Sequence, residues 1–172
     1  MSVSRTLTFA SIECFTHCEI GMGVHKLSAP YVKNKLPISV SAVMFLPSVY
    51  SIEEILGVML PPPRAHVNGI KVYDEVENVN VTLILSRVIK EKLGVNISVA
   101  SSAGNGRGVV CLRFNKEIFI IRTTNKVEGF PFASVEKILK RKEEAVNKTL
   151  LLLKSLIKGG EIPDFVEVVK NG

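Results

Sequence analysis

The sequence predicts an α/β protein: one three-layer α/β/α domain with a mixed sheet, spanning residues 1–172. Three observations carry that expectation. Runs of strand-type composition alternate along the chain with segments whose apolar residues recur at helical spacing. Two late strands face each other across a two-residue Asn115-Lys116 turn, so part of the sheet must be antiparallel. A chain of 172 residues, 47% hydrophobic and 22% charged, is long enough for one continuous core and too ordinary in composition for disorder.

The elements follow in order. Thr6 to Ile12 reads as a buried strand, and Ile20, Val24 and Leu27 then recur at helical spacing, so the residues between form a strand-to-helix junction. Pro37 to Leu46, rich in Val, Ile and Ser and closed by Pro47, suits a second strand. Ser51 with Glu54 three positions on signals the capping box of a short helix ending near Gly57. Pro61-Pro62-Pro63 requires an extended surface connection, and Val67 to Tyr73 a short strand. Val76, Val79, Leu83, Ile84, Val88 and Leu93 mark one face of a helix stopped by Gly94. Strands are expected at Val95 to Ala100, Val109 to Phe114 and Ile118 to Thr123, with a loop from Ser101 to Gly108 between the first two. Ser134 caps a final helix in which Val135, Ile138, Leu139, Val146, Leu150, Leu153 and Ile157 keep the period until Gly159-Gly160.

Composition narrows the function classes. The longest apolar clusters, such as Leu150 to Leu153, fall far short of the ~20 residues that span a bilayer. The early apolar stretch is interrupted by Glu13 and His17, unlike a secretory signal, so a cytoplasmic protein is expected. Three cysteines, an odd number, argue for reduced thiols rather than a disulfide framework. A net charge of +6 favours acidic partners such as a nucleotide-like small molecule. The cations are dispersed and aromatics few, which excludes a nucleic-acid platform. The absence of Gln hints at a heat-adapted source.

Chemistry concentrates in Ser11 to Lys26, SIECFTHCEIGMGVHK, which holds two of the three cysteines and two of the three histidines. Cys14 falls where strand gives way to helix, and the partial positive charge of a helix N-terminus stabilises a thiolate. His17, three residues on, is the candidate proton acceptor or positive neighbour, and Thr16 with the first-turn N–H groups the candidate oxyanion donors. The competing reading makes Cys14 a buried structural thiol and His17 a surface residue. A metal site would recruit Cys14, His17, Cys18 and His25, but their spacing matches no zinc pattern, so no metal is expected. CxxxC is equally awkward for a redox pair, which leaves Cys18 a packing thiol, while Cys111 reads as core.

The loop Gly104-Asn105-Gly106-Arg107-Gly108 is neither a Walker A loop nor a Rossmann fingerprint, since no Gly-Lys-Ser/Thr ends it and a strand follows. It could form an anion nest, with Arg107 pairing a phosphate or carboxylate, or be a flexible hairpin loop with a solvated arginine. If the flanking strands are parallel, it faces Cys14.

Glu13-Cys14-Phe15-Thr16-His17, Ile20-Gly21, His25-Lys26, Ser41-Ala42 with Met44-Phe45, Pro47-Ser48, and the Ala103-Gly104-x-Gly106-Arg107-Gly108 loop together resemble the archaeal HcgF family, in the same order and through Leu112. That resemblance implies a role in biosynthesis of the iron-guanylylpyridinol cofactor of the iron-only hydrogenase. It implies a thioester between Cys14 and the pyridinol carboxyl group, which an E1-like partner activates by adenylylation. Guanylylpyridinol is then ligand or covalent intermediate, and no intrinsic cofactor is expected. Around it the candidate ligand-binding residues are Glu13, Thr16, Ser101, Ser102, Gly104, Gly106, Arg107 and Gly108, with Cys14 and His17 as candidate catalytic residues. A second copy of the chain is a further candidate partner; nucleic acid and membrane are not. A strand followed by Glu-Cys-x-Thr and a later strand followed by Ala-Gly-x-Gly is also similar, more distantly, to the CinA C-terminal domain, which implies that fold and a nicotinamide-nucleotide deamidase as the alternative. A noncatalytic nucleotide-binding or scaffold protein is the third reading.

Overall fold

A computed structural model describes residues 6–169; the ends of the expected 1–172 domain lie outside the described residues. The elements are β1 (Leu7–Glu13), α1 (Glu19–Ser28), β2 (Ile38–Phe45), α2 (Val49–Leu56), β3 (Ala65–Val67), β4 (Ile70–Val72), α3 (Glu75–Leu93), β5 (Ile97–Ser102), β6 (Gly106–Phe114), β7 (Glu117–Val127), α4 (Val135–Lys158) and β8 (Val166–Val169). Six strands form one sheet in the order β2-β1-β5-β6-β7-β8. β1 pairs parallel to both β2 and β5, and β5, β6, β7 and β8 pair antiparallel in succession. The sheet is therefore mixed, as expected. β3 and β4 make a separate hairpin through Asn68 and Gly69, both at positive φ, the backbone that an Asn-Gly turn supplies.

Period-two alternation along the central strands divides the core into layers. Phe9, Val99, Val110, Phe119 and Ile121 face one side, where Ile20 and Val24 of α1 and Ala145, Leu152 and Leu153 of α4 cover them. Ala10, Ile12 and Ala100 face the other, against Ile52 and Leu56 of α2 and Val81, Leu85 and Ile89 of α3. Helices on both faces give the three-layer arrangement.

Several local expectations are corrected. The cap of α2 is Ser48, whose hydroxyl accepts from the Ser51 N–H at 3.0 Å, so Ser51 lies inside the first turn. In α3, Asp74 and Glu77 form the capping box, and the face turned to the sheet carries Asn78, Val81, Thr82, Leu85, Ser86 and Ile89. Of the apolar stripe marked in the sequence, Val79, Leu83, Ile84 and Val88 only flank the core, while Val76 and Leu93 are exposed. The three polar residues are tolerated inside because each is bonded: Asn78 accepts from Ser102, Thr82 donates to the Asn78 carbonyl, and Ser86 donates to the Leu83 carbonyl. At the start of α4, Val135 and Leu139 face solvent and Arg141 is buried instead. The expected Ser101 to Gly108 loop shrinks to residues 103–105, because β5 runs on through Ser102 and β6 begins at Gly106.

One carboxylate ties α4 to an irregularity in β7. Register slips opposite Gly108, and Glu144 fills the gap by accepting from the Thr124 and Asn125 N–H groups and the Asn125 side chain, with Lys148 at 2.6 Å. Burial pushes the Glu144 carboxyl up, but these donors outweigh it and hold the group at about 2. A carboxyl depressed in the folded state stabilises above the ~4.3 of an unfolded glutamate and loses that contribution as pH falls toward its folded value. Glu144→Gln is expected to lower the melting temperature at pH 7 by about 3–6 °C, from a charge-assisted network of roughly 1–2 kcal/mol. Thermal melts between pH 7 and 2 check this: the deficit should shrink below about pH 4, and a deficit constant with pH would refute it.

Candidate functional site

The junction after β1 is organised by a buried carboxylate. Glu13, with no solvent exposure, accepts from the N–H groups of Ile20 at 3.2 Å and Gly21 at 2.8 Å and from the hydroxyls of Ser11 at 2.8 Å and Thr16 at 2.6 Å. It thus caps α1 from the preceding strand. Residues 14–18 form a turn, with His17 and Cys18 both in the left-handed region at φ 52° and 65°. The helix starts only at Glu19. The expectation that the N-terminus of α1 points at Cys14 is corrected here: its free N–H groups are taken by Glu13.

A directional chain leads from Glu13 back to the thiol residue. Thr16 donates to Glu13, so it accepts from the Ser101 hydroxyl 2.7 Å away, and Ser101 in turn accepts the Cys14 N–H at 3.2 Å. Glu13, Thr16 and Ser101 therefore orient the Cys14 backbone, and none of the three is turned outward. Ser102 is committed to Asn78 at 2.7 Å on the α3 side of the sheet.

Much of the glycine loop is already committed within the protein. The Gly104 and Gly106 carbonyls accept from Arg141 Nη1 at 2.7 and 2.9 Å, and the Gly108 N–H donates to Thr123 at 2.8 Å. Arg107 is paired with Glu75, both through its N–H and at 3.6 Å through its guanidinium. Two glycines are required by close approach: a Cβ at Gly104 would lie 2.2 Å from the Tyr73 carbonyl oxygen, and one at Gly108 2.4 Å from the Phe15 ring.

What faces Cys14 is a pair of buried cations absent from the sequence reading. Lys71 on β4, 1% exposed, donates to the Leu46 and Pro47 carbonyls at 3.2 and 3.4 Å and interacts electrostatically with the Cys14 thiol. Burial lowers the Lys71 ammonium and the thiol opposes that shift. Arg141, also 1% exposed, lies 5.6 Å from the Phe15 ring centroid and is lowered to about 10 by burial, with Cys14 and Glu128 opposing. His17 shares the pocket wall with Cys14, its ring edge-on to Phe45 at 5.9 Å, and makes no side-chain hydrogen bond to the thiol among the described residues. Lys71 is a second basic group acting on the thiol, one that local sequence did not reveal. Arg141 had a legible signal, since Ile138, Arg141, Ala145, Thr149 and Leu152 fall at helical spacing on one stripe; Lys71 sits in a strand too short to show one.

Cys14, His17 and Arg141 line a pocket of about 80 Å³ together with Phe45, Pro47, Ile70, Phe130 and Ile138, while Lys71 lies outside that lining. The other thiols lie elsewhere. Burial, then the Glu13 carboxylate, pushes the half-buried Cys18 up, and burial pushes up Cys111, which accepts from Ser86 in the core. Among the described residues no three of His, Cys, Asp or Glu converge as a metal site, and no helix is long and apolar enough to cross a membrane.

The fold is that of the CinA superfamily. Competence damage-inducible protein A from Klebsiella pneumoniae superposes with a TM-score of 0.57 over 92% of this chain and 91% of its own, at 15% identity. A competence or damage-inducible protein from Enterobacter asburiae gives 0.55 over 88% of each chain, also at 15% identity. Within that fold, the sequence model for the FeGP cofactor biosynthesis protein HcgF matches residues 6–157, and the chain belongs to the HcgF family. It is 34% identical over 154 residues to a UPF0254 protein of Methanococcus vannielii, covering 83% of this chain and 89% of that one. A UPF0254 protein of Methanocaldococcus jannaschii is 29% identical over 165 residues, covering 88% and 97%.

A cation near a thiol favours its thiolate, which is the reactive form. Lys71→Met is therefore expected to slow iodoacetamide alkylation of Cys14 at pH 7, by about tenfold. Peptide-resolved mass spectrometry reads this. An unchanged rate at Cys14 would show that Lys71 only fills space.

Proposed function

We propose that this protein, within FeGP cofactor biosynthesis, captures the carboxyl group of guanylylpyridinol as a thioester on Cys14. The observation that supports this best is the placement of Cys14. Of the three thiols it alone lines the pocket, 7% exposed, with the buried Arg141 on the same wall and the buried Lys71 ammonium acting on it electrostatically. Acyl transfer to sulfur needs a thiolate and an acyl group with a good leaving group. In the proposed reaction an E1-like partner supplies the pyridinol carboxyl as its acyl adenylate. The Cys14 thiolate, held by Lys71, adds to the acyl carbon; the C–S bond forms, the C–O bond to phosphate breaks and AMP leaves.

The pocket volume of about 80 Å³ is only a few times the ~30 Å³ share of a water molecule. It is of a size for the acyl head of the ligand rather than for the whole of guanylylpyridinol, and Phe45, Pro47, Ile70 and Phe130 are among its walls. Those apolar walls keep bulk water from the thioester, so the captured acyl group survives for transfer.

Incubation with guanylylpyridinol, ATP and the adenylylating partner should raise the intact mass by that of the ligand less one water. The adduct should be hydroxylamine-labile, absent from Cys14→Ala and retained in Cys18→Ala. An unchanged mass, or an adduct that survives Cys14→Ala, would remove the capture reading. Ammonia release from nicotinamide mononucleotide would assign an amidohydrolase in its place.

A further inference from the structure

Around the pocket there is more buried positive charge than the protein neutralises. Neither Lys71 nor Arg141 has a carboxylate within ion-pair distance among the described residues, although both are 1% exposed. The nearest buried acid, Glu13, is saturated by four donors of its own. Glu128, on the exposed segment before α4, acts on Arg141 only through space. Cys14, the one group that acts on both cations, can carry at most one negative charge. At least one cation therefore has no counter-ion among the described residues, a costly arrangement in a protein interior unless a ligand completes it.

The geometry of Arg141 says what that ligand offers. Its Nη1 is used by the Gly104 and Gly106 carbonyls, and its Nε is buried with no hydrogen-bond partner. The Nε–Nη2 edge of the guanidinium thus lacks a protein acceptor. The Phe15 face, itself pressed against Gly108, fixes the plane of the group at the pocket wall. A guanidinium edge with two parallel N–H groups matches the two oxygens of a carboxylate.

We propose that Arg141 is the carboxylate receptor of this pocket, and that its unmatched charge makes the site select a planar monoanionic carboxylic acid over the corresponding neutral amide. The inference rests on the capture reading for the identity of the pocket and deepens it: the acid is held beside Cys14 before activation and returned there as the acyl group. The glycine loop then serves the ligand indirectly, as a positioning element whose carbonyls hold Arg141.

The test uses the full-length Cys14→Ala chain, which cannot acylate, titrated calorimetrically with phenylacetate and with phenylacetamide, a matched acid and amide. The acid is expected to bind about tenfold or more tightly than the amide. Arg141→Lys, which keeps the charge without the fork, should lose most of that preference, and Arg141→Met all of it. Should the arginine variants fail to fold, the acid-over-amide preference, measured also on the wild-type chain by thermal stabilisation, still decides. Equal binding of acid and amide, or a preference unchanged in Arg141→Met, overturns the proposal. A preference present in a chain that never forms the thioester keeps Arg141 as receptor and removes only the capture reading. A thioester formed without any preference does the reverse.

Discussion

The site depends on the burial of one carboxylate at the end of β1. Glu13 lies under α1 because Gly21 lets the helix come close: a Cβ there would meet Val43 at 2.4 Å and the Ser11 hydroxyl at 2.9 Å. That approach brings the Ile20 and Gly21 N–H groups onto Glu13 and holds the two left-handed residues, His17 and Cys18, in their turn. Two consecutive non-glycine residues at positive φ are unfavourable, and persist only where the surroundings over-determine them. Here the surroundings are the Glu13–Thr16–Ser101 chain, which ends on the Cys14 N–H. The nucleophile candidate is thereby held from its backbone side, and its sulfur is left to meet the pocket.

The same economy of donors explains why the site is cationic. With the Ile20 and Gly21 N–H groups bonded to Glu13, and those of Arg107 and Gly108 bonded to Glu75 and Thr123, these backbone donors are not free for a ligand. Positive charge reaches the thiol through two side chains from distant elements, Lys71 of β4 and Arg141 of α4. Each is held by main-chain carbonyls rather than by acids. Carbonyl dipoles orient a cation without cancelling its charge, which leaves the field available inside the pocket. The three thiols consequently have different surroundings: Cys18 beside an anion, Cys111 within an apolar layer, and Cys14 facing cations.

Strand and helix identities were legible where periodicity was clean, as in β1, β2 and α4, and where glycine marked the ends of α2, α3 and α4. Legibility failed where polar residues face inward. Asn78, Thr82 and Ser86 break the apolar stripe of α3, because hydrogen bonds to neighbouring carbonyls and side chains substitute for apolar contact. β8 escaped notice since its alternating pattern covers only four residues. In the site, the Glu13 to His17 string located the junction, but its electrostatics were not local. No spacing rule connects Cys14 to Lys71, 57 positions on, or to Arg141, and the Gly-rich segment suggested anion binding because its sequence does not reveal which way its carbonyls turn.

Sheet topology brings these distant residues together. β1 and β5 run parallel, so Cys14 and Ser101 arrive at one edge of the sheet. β6 leaves that edge antiparallel and β7 returns to it, carrying Phe130 and then the first turns of α4 with Ile138 and Arg141. β2, parallel on the other flank, delivers Phe45 and Pro47, onto whose carbonyl the β3–β4 hairpin closes through the Lys71 N–H. Five segments thus converge at this end of the sheet, the position at which α/β sheets hold ligands. Because each segment is anchored by the sheet, a change of one side chain at this edge alters the chemistry without altering the frame. A pocket whose thiol and arginine come from separate elements, with a buried lysine from a third acting on the thiol, is therefore assembled only in the folded chain, and its positive character is a property of the topology as much as of any motif.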